Sequence, residues 1–583
     1  MSLFLLVAYV LSISLPVGLP PGEFDRQLDR LVPEDTIAYW SSAGIATPEG
    51  LEHLSTPTER FLAEPEIRAA MEELREQASR FAPQRANQQR AQVLQLGARL
   101  ALLLAEQPAV AYLHQLNEDS LRGGIAVRLR QDGEQKRELA KFLESFGEPA
   151  RKVLNHPVYA LDHPDAPGRF EVAIVEDLLV LGVGGAEIET MLMRRRGEAP
   201  AWIGPLRDRF NIERPATLAR VDVERLRIRL EELVRNGLPV DPIQMFGLRE
   251  MKQFVAVTGL DRPQAVASNS GKANPEVTGG FVRLAALDLN REPQSLLSLL
   301  HGQPLTAEEL SSVPANAQVA LAARLDVRQA LEVFAANLGD ARAQADDGLE
   351  RIEQSIGIKV REQLLGSLGD VWTLHTSVDT GGLIAGWVAT VPVKDRSKVQ
   401  LALALDRVRQ VAERQRIGGR PLKIDWVKHR DVDIYSVPTY NWPPAVSYAV
   451  TEDRLVISFL PQAIKAFLDA GSNPSPRLPA NARVNEQWQR GGAPTVLVKL
   501  DTRRIAEEAR PWMLLAFYTL RRHWSRQDHD FDLSRLPGVA AFTRHADDAV
   551  LTLRHDDRGF VFEQRQALPG PSLPILLLLM MSM

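Results

Sequence analysis

Short apolar runs broken by turn residues dominate the chain, and they alternate with longer stretches whose apolar positions recur every three or four residues. HPVYALD, RFEVAIV and DLLVLGV each read as a strand, and AEIETMLM after them as a helix. Elsewhere an apolar strand runs straight into a helix, as in ATLARVD followed by VERLRIRLEELV. The separators, Asp-Gly, Pro-Asp-Ala-Pro-Gly and His-Asp-Asp-Arg-Gly, are tight-turn chemistries that favour antiparallel pairing. Helices are expected near 58–80, 86–117, 323–355 and 396–415, while 470–492, rich in Gly, Ser, Asn and Pro, reads as a linker. The expected class is α+β, mostly antiparallel sheet with helices packed on one face.

The pattern also repeats. Val32-Pro33-Glu34-Asp35-Thr36-Ile37-Ala38 returns as Val313-Pro314-Ala315-Asn316-Ala317-Gln318-Val319, an offset of 281 residues. Glu176-Asp177-Leu178-Leu179-Val180-Leu181 returns as Glu452-Asp453-Arg454-Leu455-Val456-Ile457 at an offset of 276, and Asp222-Val223-Glu224-Arg225 as Asp501-Thr502-Arg503-Arg504 at 279. Agreement among distant landmarks predicts two tandem duplicated lobes, 31–302 and 312–567.

Both ends are apolar. Residues 1–22 carry no charge, and Leu3 to Leu15 has the length of a secretory h-region, so this segment reads as a signal peptide or N-terminal anchor. A membrane span needs about 20 apolar residues, and Pro16, Pro20 and Pro21 crowd the end of this one. The apolar C-terminal tail, 568–583, ends in SLPILLLLMMSM, which as a helix reaches about 18 Å of a roughly 30 Å hydrocarbon core. It is expected to fold back onto the body, or to dip into a membrane or dock a partner. The Val-Pro-Glu-Asp-Thr-Ile-Ala-Tyr opening, the late Glu-Asp-x-Leu-Val-Ile strand and the hydrophobic leader together resemble an uncharacterised family of exported bacterial proteins, catalogued as a domain of unknown function. The resemblance implies export and fold, and carries over no catalytic residue.

Composition narrows the chemistry. The 583 residues are 45% hydrophobic and 25% charged, values of an ordinary globular protein. The net charge of −5 supplies no basic field for nucleic acid. The absence of cysteine excludes disulfides, Cys-ligated metals and a thiol nucleophile.

Local motifs mostly resolve into structural roles. Asp222, Asp326 and Asp501 stand between strand and helix, where a carboxylate accepts the orphan N–H groups of the first turn. Leu181-Gly182-Val183-Gly184-Gly185 suggests a dinucleotide turn, but Glu187 replaces the third glycine and the strand belongs to a meander. Gly271-Lys272 is no phosphate loop, because Ala273 follows and Val266 stands at the first glycine. The last unit gathers His523, Asp528, His529, Asp530, Asp532, His545, Asp547, Asp548, His555, Asp556 and Asp557. Asp528, Asp530 and Asp532 have calcium-loop spacing, yet Leu533 and Val539 occupy the Gly and Glu positions. No G-x-S-x-G, H-E-x-x-H or Ser-x-x-Lys motif occurs. The helix Ala91 to Ala105 reads as the buried centre of the first lobe, or as the wall of a lipid cavity.

The expected function is a non-enzymatic binding or scaffold protein of the bacterial envelope, exported to the periplasm or cell surface. Its partner is an unknown protein or hydrophobic ligand, with no nucleic acid, no metal and no cofactor, and with peripheral membrane association through the termini. A groove between the lobes is the natural binding place. The aromatic loop carrying Tyr440 and Trp442 is the second candidate, because such side chains offer large contact area at little entropy cost. The alternative is an envelope-polymer hydrolase using carboxylates or a metal in the His/Asp-rich unit, which requires those side chains to converge in a cleft. A self-assembling structural protein would instead show an exposed sheet edge.

Overall fold

A computed structural model describes residues 17–569, apart from 47–55, 81–87, 117–120, 131–132, 162–168, 235–246, 266–276, 337–341, 358, 395–404, 407–408, 411–415, 418–419, 422–423, 439–444, 472–475, 509, 512–514 and 516–536. The first half carries strands β1 (Ala38–Ala43), β2 (Pro108–Leu116), β3 (Leu121–Arg128), β4 (Arg151–Val153), β5 (His156–Leu161), β6 (Phe170–Val175), β7 (Leu178–Val183), β8 (Arg214–Asp222), β9 (Met251–Ala265) and β10 (Val277–Leu289). The second carries β11 (Val319–Arg324), β12 (Val371–Thr376), β13 (Val388–Pro392), β14 (Asp425–His429), β15 (Val432–Pro438), β16 (Ala445–Val450), β17 (Arg454–Ser458), β18 (Val496–Asp501), β19 (Asp548–Asp556) and β20 (Gly559–Gln566).

All twenty belong to one antiparallel sheet. In the first half the order runs β4-β5-β6-β7-β3-β2-β1-β8-β9-β10. It continues as β20-β19-β18-β11-β12-β13-β17-β16-β15-β14. The α+β class with antiparallel strands is therefore what the sequence pattern requires. Strand order in the second half mirrors that in the first, and the halves meet where β10 pairs with β20 from Phe281–Gln566 to Asp288–Gly559.

Alternation along the strands sends apolar residues to both faces. Tyr39, Tyr112, Val180 and Val257 join Leu28, Ile188, Met191, Ile203 and Leu206 from helices on one face. Trp40, Ala109, Val127, Leu179 and Ala256 meet Leu96, Leu103, Leu139 and Leu143 from helices on the other, so the first half carries helices on both sides. In the second half, Val388, Val456 and Ala449 pack against Ala463 and Ile464 of helix Pro461–Gly471.

Helix boundaries depart from the sequence expectation where proline or a cap intervenes. The helix expected over 86–117 is Gln88–Glu106, because Pro108 ends it and PAVAYLHQL continues as β2. The segment expected as a linker over 470–492 contains helix Ala482–Gly491, started by Asn481, whose side chain accepts from the N–H groups of Arg483 and Val484. Helices Pro57–Ala63 and Pro65–Arg80 divide at Pro65, and Val327–Ala336 and Arg342–Ile356 follow β11. The helix expected at 396–415 falls largely outside the described residues, as do 1–16 and 570–583. Among the described residues no helix is long and apolar enough to cross a membrane.

The junction is clamped beyond its ladder. Thr58 donates to the Ala567 carbonyl at 2.6 Å, Glu64 binds Arg544 at 2.7 Å and His545 at 2.8 Å, and Phe61 packs on Phe542. Gly559 opens β20 at φ 144°, where a Cβ would collide with the Leu287 carbonyl.

Candidate binding groove at the junction

Four neighbouring strands, β8, β9, β10 and β20, end together at the junction. Cross-strand register sets Asp222 beside Gln253, Gln253 beside Asp288, and Asp288 beside Gly559. Trp202 leads into helix Ile203–Asp208, which lies over this row on the Tyr39 face and is followed by Arg209. The result is a cavity of about 850 Å³, lined from the first half by Trp202, Arg209, Arg220, Lys252, Gln253 and Asp288, and from the second by Asp557 and Arg558. That volume is within the roughly 300–1,000 Å³ typical of ligand sites.

The floor is held by a chain of hydrogen bonds. Both terminal nitrogens of Arg209 donate to Asp288, one of them at 2.6 Å, and Gln253 Nε2 donates to the same carboxylate at 2.7 Å. Arg220 Nε donates to Gln253 Oε1 at 3.0 Å and its Nη2 to Asp222 at 3.2 Å. The Arg220 guanidinium lies 4.7 Å over the Trp202 ring, which meets Tyr39 edge-on at 5.1 Å. Burial alone would push the Asp288 carboxyl up. Hydrogen bonds from Arg209 and Gln253, with the charges of Arg209 and Arg558, hold it below the usual carboxylate range. Lys252 and Arg558 are exposed at the rim together with the carboxylates Asp208 and Asp557, and Lys252 makes no ion pair among the described residues. Asp556 shapes the turn that presents Arg558, accepting from the N–H of Arg558 at 2.8 Å and of Gly559 at 3.0 Å.

The other candidates lie elsewhere. Tyr440 and Trp442 lie outside the described residues, and their flanking strands β15 and β16 are separated from β20 by several intervening strands. Of the His/Asp-rich unit, residues 523–532 are likewise outside the description. The remainder divides between the two ends of β19, roughly 25 Å apart. At its start His545 binds Glu64, Asp547 binds Arg483 at 2.7 Å, and Asp548 accepts from Asn481 at 2.7 Å and Lys499 at 2.9 Å. At its end His555 stacks edge-on against His301 with centroids 3.9 Å apart. Among the described residues no three His, Asp or Glu side chains could hold a metal ion.

The strand-end aspartates cap helices. Asp222 accepts from Arg225 N–H and Asp501 from Arg504 N–H, both at 3.0 Å, and Asp326 accepts from Arg328 at 2.9 Å and Gln329 at 3.1 Å. Asp222 thus serves both its cap and the groove. No motif marks Arg209, Gln253, Asp288 or Arg558; strand pairing and the helix laid over it gather them. No family model, curated protein or solved structure matches the chain.

Proposed function

We propose that the chain is an exported, non-enzymatic binding protein of the bacterial cell envelope, built from two duplicated lobes, 31–302 and 312–567. It holds a hydroxyl-rich anionic ligand, of the acidic saccharide class, in the groove where the halves meet. The observation that carries this reading is the row Asp222, Gln253 and Asp288, prelocked by Arg209 and Arg220 beneath the exposed cations Lys252 and Arg558. Planar amide, carboxylate and guanidinium groups offer paired donors and acceptors to vicinal hydroxyls, and the rim cations suit an acid group. The mirrored strand order supports the duplication. The uncharged leader and the family resemblance support export, with the leader either cleaved or kept as an anchor.

A hydrophobic ligand suits this polar lining poorly. The hydrolase reading has less support, because Asp288 is held as a carboxylate and the described His/Asp side chains stand at opposite ends of β19. Isothermal titration of the full chain with tetragalacturonate, cellotetraose and inorganic phosphate tests the proposal. Tetragalacturonate is expected to bind, with affinity falling about tenfold or more in the Lys252→Ala, Arg558→Ala double variant. Binding of cellotetraose alone, of phosphate alone, or of none overturns it.

A further inference from the structure

Among the described residues strand β14 ends the sheet and pairs only inward. Its register on β15 is Asp425–Ser436, Trp426–Tyr435, Val427–Ile434, Lys428–Asp433 and His429–Val432, closed by the two-residue turn Arg430–Asp431 with φ of 47° and 63°. In such a hairpin the pair beside the turn exchanges both main-chain bonds and the pairs alternate from there. His429, Val427 and Asp425 therefore direct N–H and C=O toward β15, whereas those of Trp426 and Lys428 point away from the sheet. No described strand occupies that side. Trp426 is 65% exposed and the Lys428 side chain 57%. The opposite end of the sheet is different. β4 has three residues, and the same alternation leaves Lys152 alone facing outward, a lysine that discourages further pairing.

We propose that β14 pairs antiparallel with β14 of a second copy of this chain, about a two-fold axis at Val427. This register sets the outward groups of Trp426 against those of Lys428 in the other copy, twice, giving about four main-chain hydrogen bonds. It also places each indole beside an ammonium group, so the strand is complementary to itself in cation–π geometry. The β10–β20 ladder joins the two halves of one chain by the same edge-to-edge chemistry. Because β4 offers one outward residue, the assembly closes as a dimer and does not propagate.

Sedimentation of the full chain at about 1 to 100 µM is expected to show twice 64.8 kDa at the upper end. Lys428→Pro removes the outward N–H and the exposed ammonium but no main-chain bond of the β14–β15 ladder, so it is expected to give a monomer with unchanged circular dichroism. The chain has no cysteine, which makes Val427→Cys a direct probe. In a non-hydrogen-bonded pair the two Cα atoms are about 4.5 Å apart, within disulfide reach, so mild oxidation is expected to link two chains. Leu154→Cys, at a 67% exposed residue of the first half, is expected to remain unlinked. A monomer at every concentration, a dimer that survives Lys428→Pro, or equal linking of the two cysteine variants overturns the proposal.

Discussion

Replacing Lys499 by Met separates the electrostatic from the packing contribution at the centre of the second half. Lys499 is 1% exposed, and its ammonium donates to the Ala317 carbonyl at 2.7 Å and to Asp548 at 2.9 Å. Met preserves most of the volume but leaves the Asp548 carboxyl with Asn481 as its remaining described side-chain donor. Removing one partner of a buried ion pair costs about 3–5 kcal/mol; the 18% exposure of Asp548 and its bond to Asn481 place this case near about 3 kcal/mol. Burial already raises the Asp548 carboxyl, and the Lys499 charge is the leading influence holding it down. Without Lys499 the folded state binds a proton more tightly than the unfolded state. The deficit is then present at neutral pH, grows as pH rises through the raised folded value, and is relieved on acidification toward the unfolded carboxylate range. Hydrogen exchange of β11, β18 and β19 amides at pH 7.5 and pH 5 reads this directly, with about a hundredfold loss of protection at the higher pH and less at the lower. Lys499→Met combined with Asp548→Leu is expected to regain all but about 1 kcal/mol, since an apolar pair substitutes well for a buried ion pair. A double variant as weak as the single one, or a deficit independent of pH, refutes the reasoning.

Gly559→Ala is expected to cost about 1–3 kcal/mol by forcing a side chain into positive φ against the Leu287 carbonyl, detected as faster proteolysis or exchange in β10 and β20. Asp326→Ala is expected to remove about 1 kcal/mol from helix Val327–Ala336, with Asp326→Asn largely neutral, read from exchange in its first turn. Asp288 is held below the usual carboxylate range, so its contribution is present above the unfolded carboxyl value and lost as pH falls through the folded one. Trp202 emission is accordingly expected to stay constant from about pH 8 to pH 5 and to change below about pH 4, and Asp288→Asn to abolish that step.

The elements themselves were legible where local pattern and tertiary demand agree. The aspartate caps, the Glu176–Asp177 turn and the strand-strand-strand-helix series before Met191 follow from residue type and period. PAVAYLHQL was not, because an apolar run after a long helix fits either period; Pro108 is the residue that decides it. Helix Ala482–Gly491 was hidden by the composition of the residues before it, although Val484 and Trp488 recur at helical spacing and pack on the core of the second half. The groove was legible as a place between two halves but not as a set of side chains. Arg209, Gln253, Asp288 and Arg558 belong to four segments, brought together by the pairing of β9, β10 and β20 and by helix Ile203–Asp208 laid over them.

Comparison of equivalent registers explains why matching cations face a groove in one half and the core in the other. Arg220 stands opposite Tyr39 in the first half, and Lys499 opposite Ala320 in the second, at the same position in the mirrored strand order. The fully buried Tyr39 ring fills the space beneath β8, anchored to Asp29 at 3.0 Å. Arg220 is therefore displaced outward over Trp202 and reaches Gln253 and Asp222 at the groove. Ala320 leaves that space open, and Lys499 turns in to the Ala317 carbonyl and Asp548. Beyond β9 the first half presents Asp288 to Arg209; beyond β19 the corresponding place follows β20, where Ala567 is buried and bound by Thr58. Cation, amide and carboxylate thus face a cavity in one half, while in the other the matching cation Lys499 is sealed into a structural pair with Asp548, which stands at the place of Gln253. The size of one side chain on β1 decides whether the cation opposite it is pushed out over a cavity or drawn into the core.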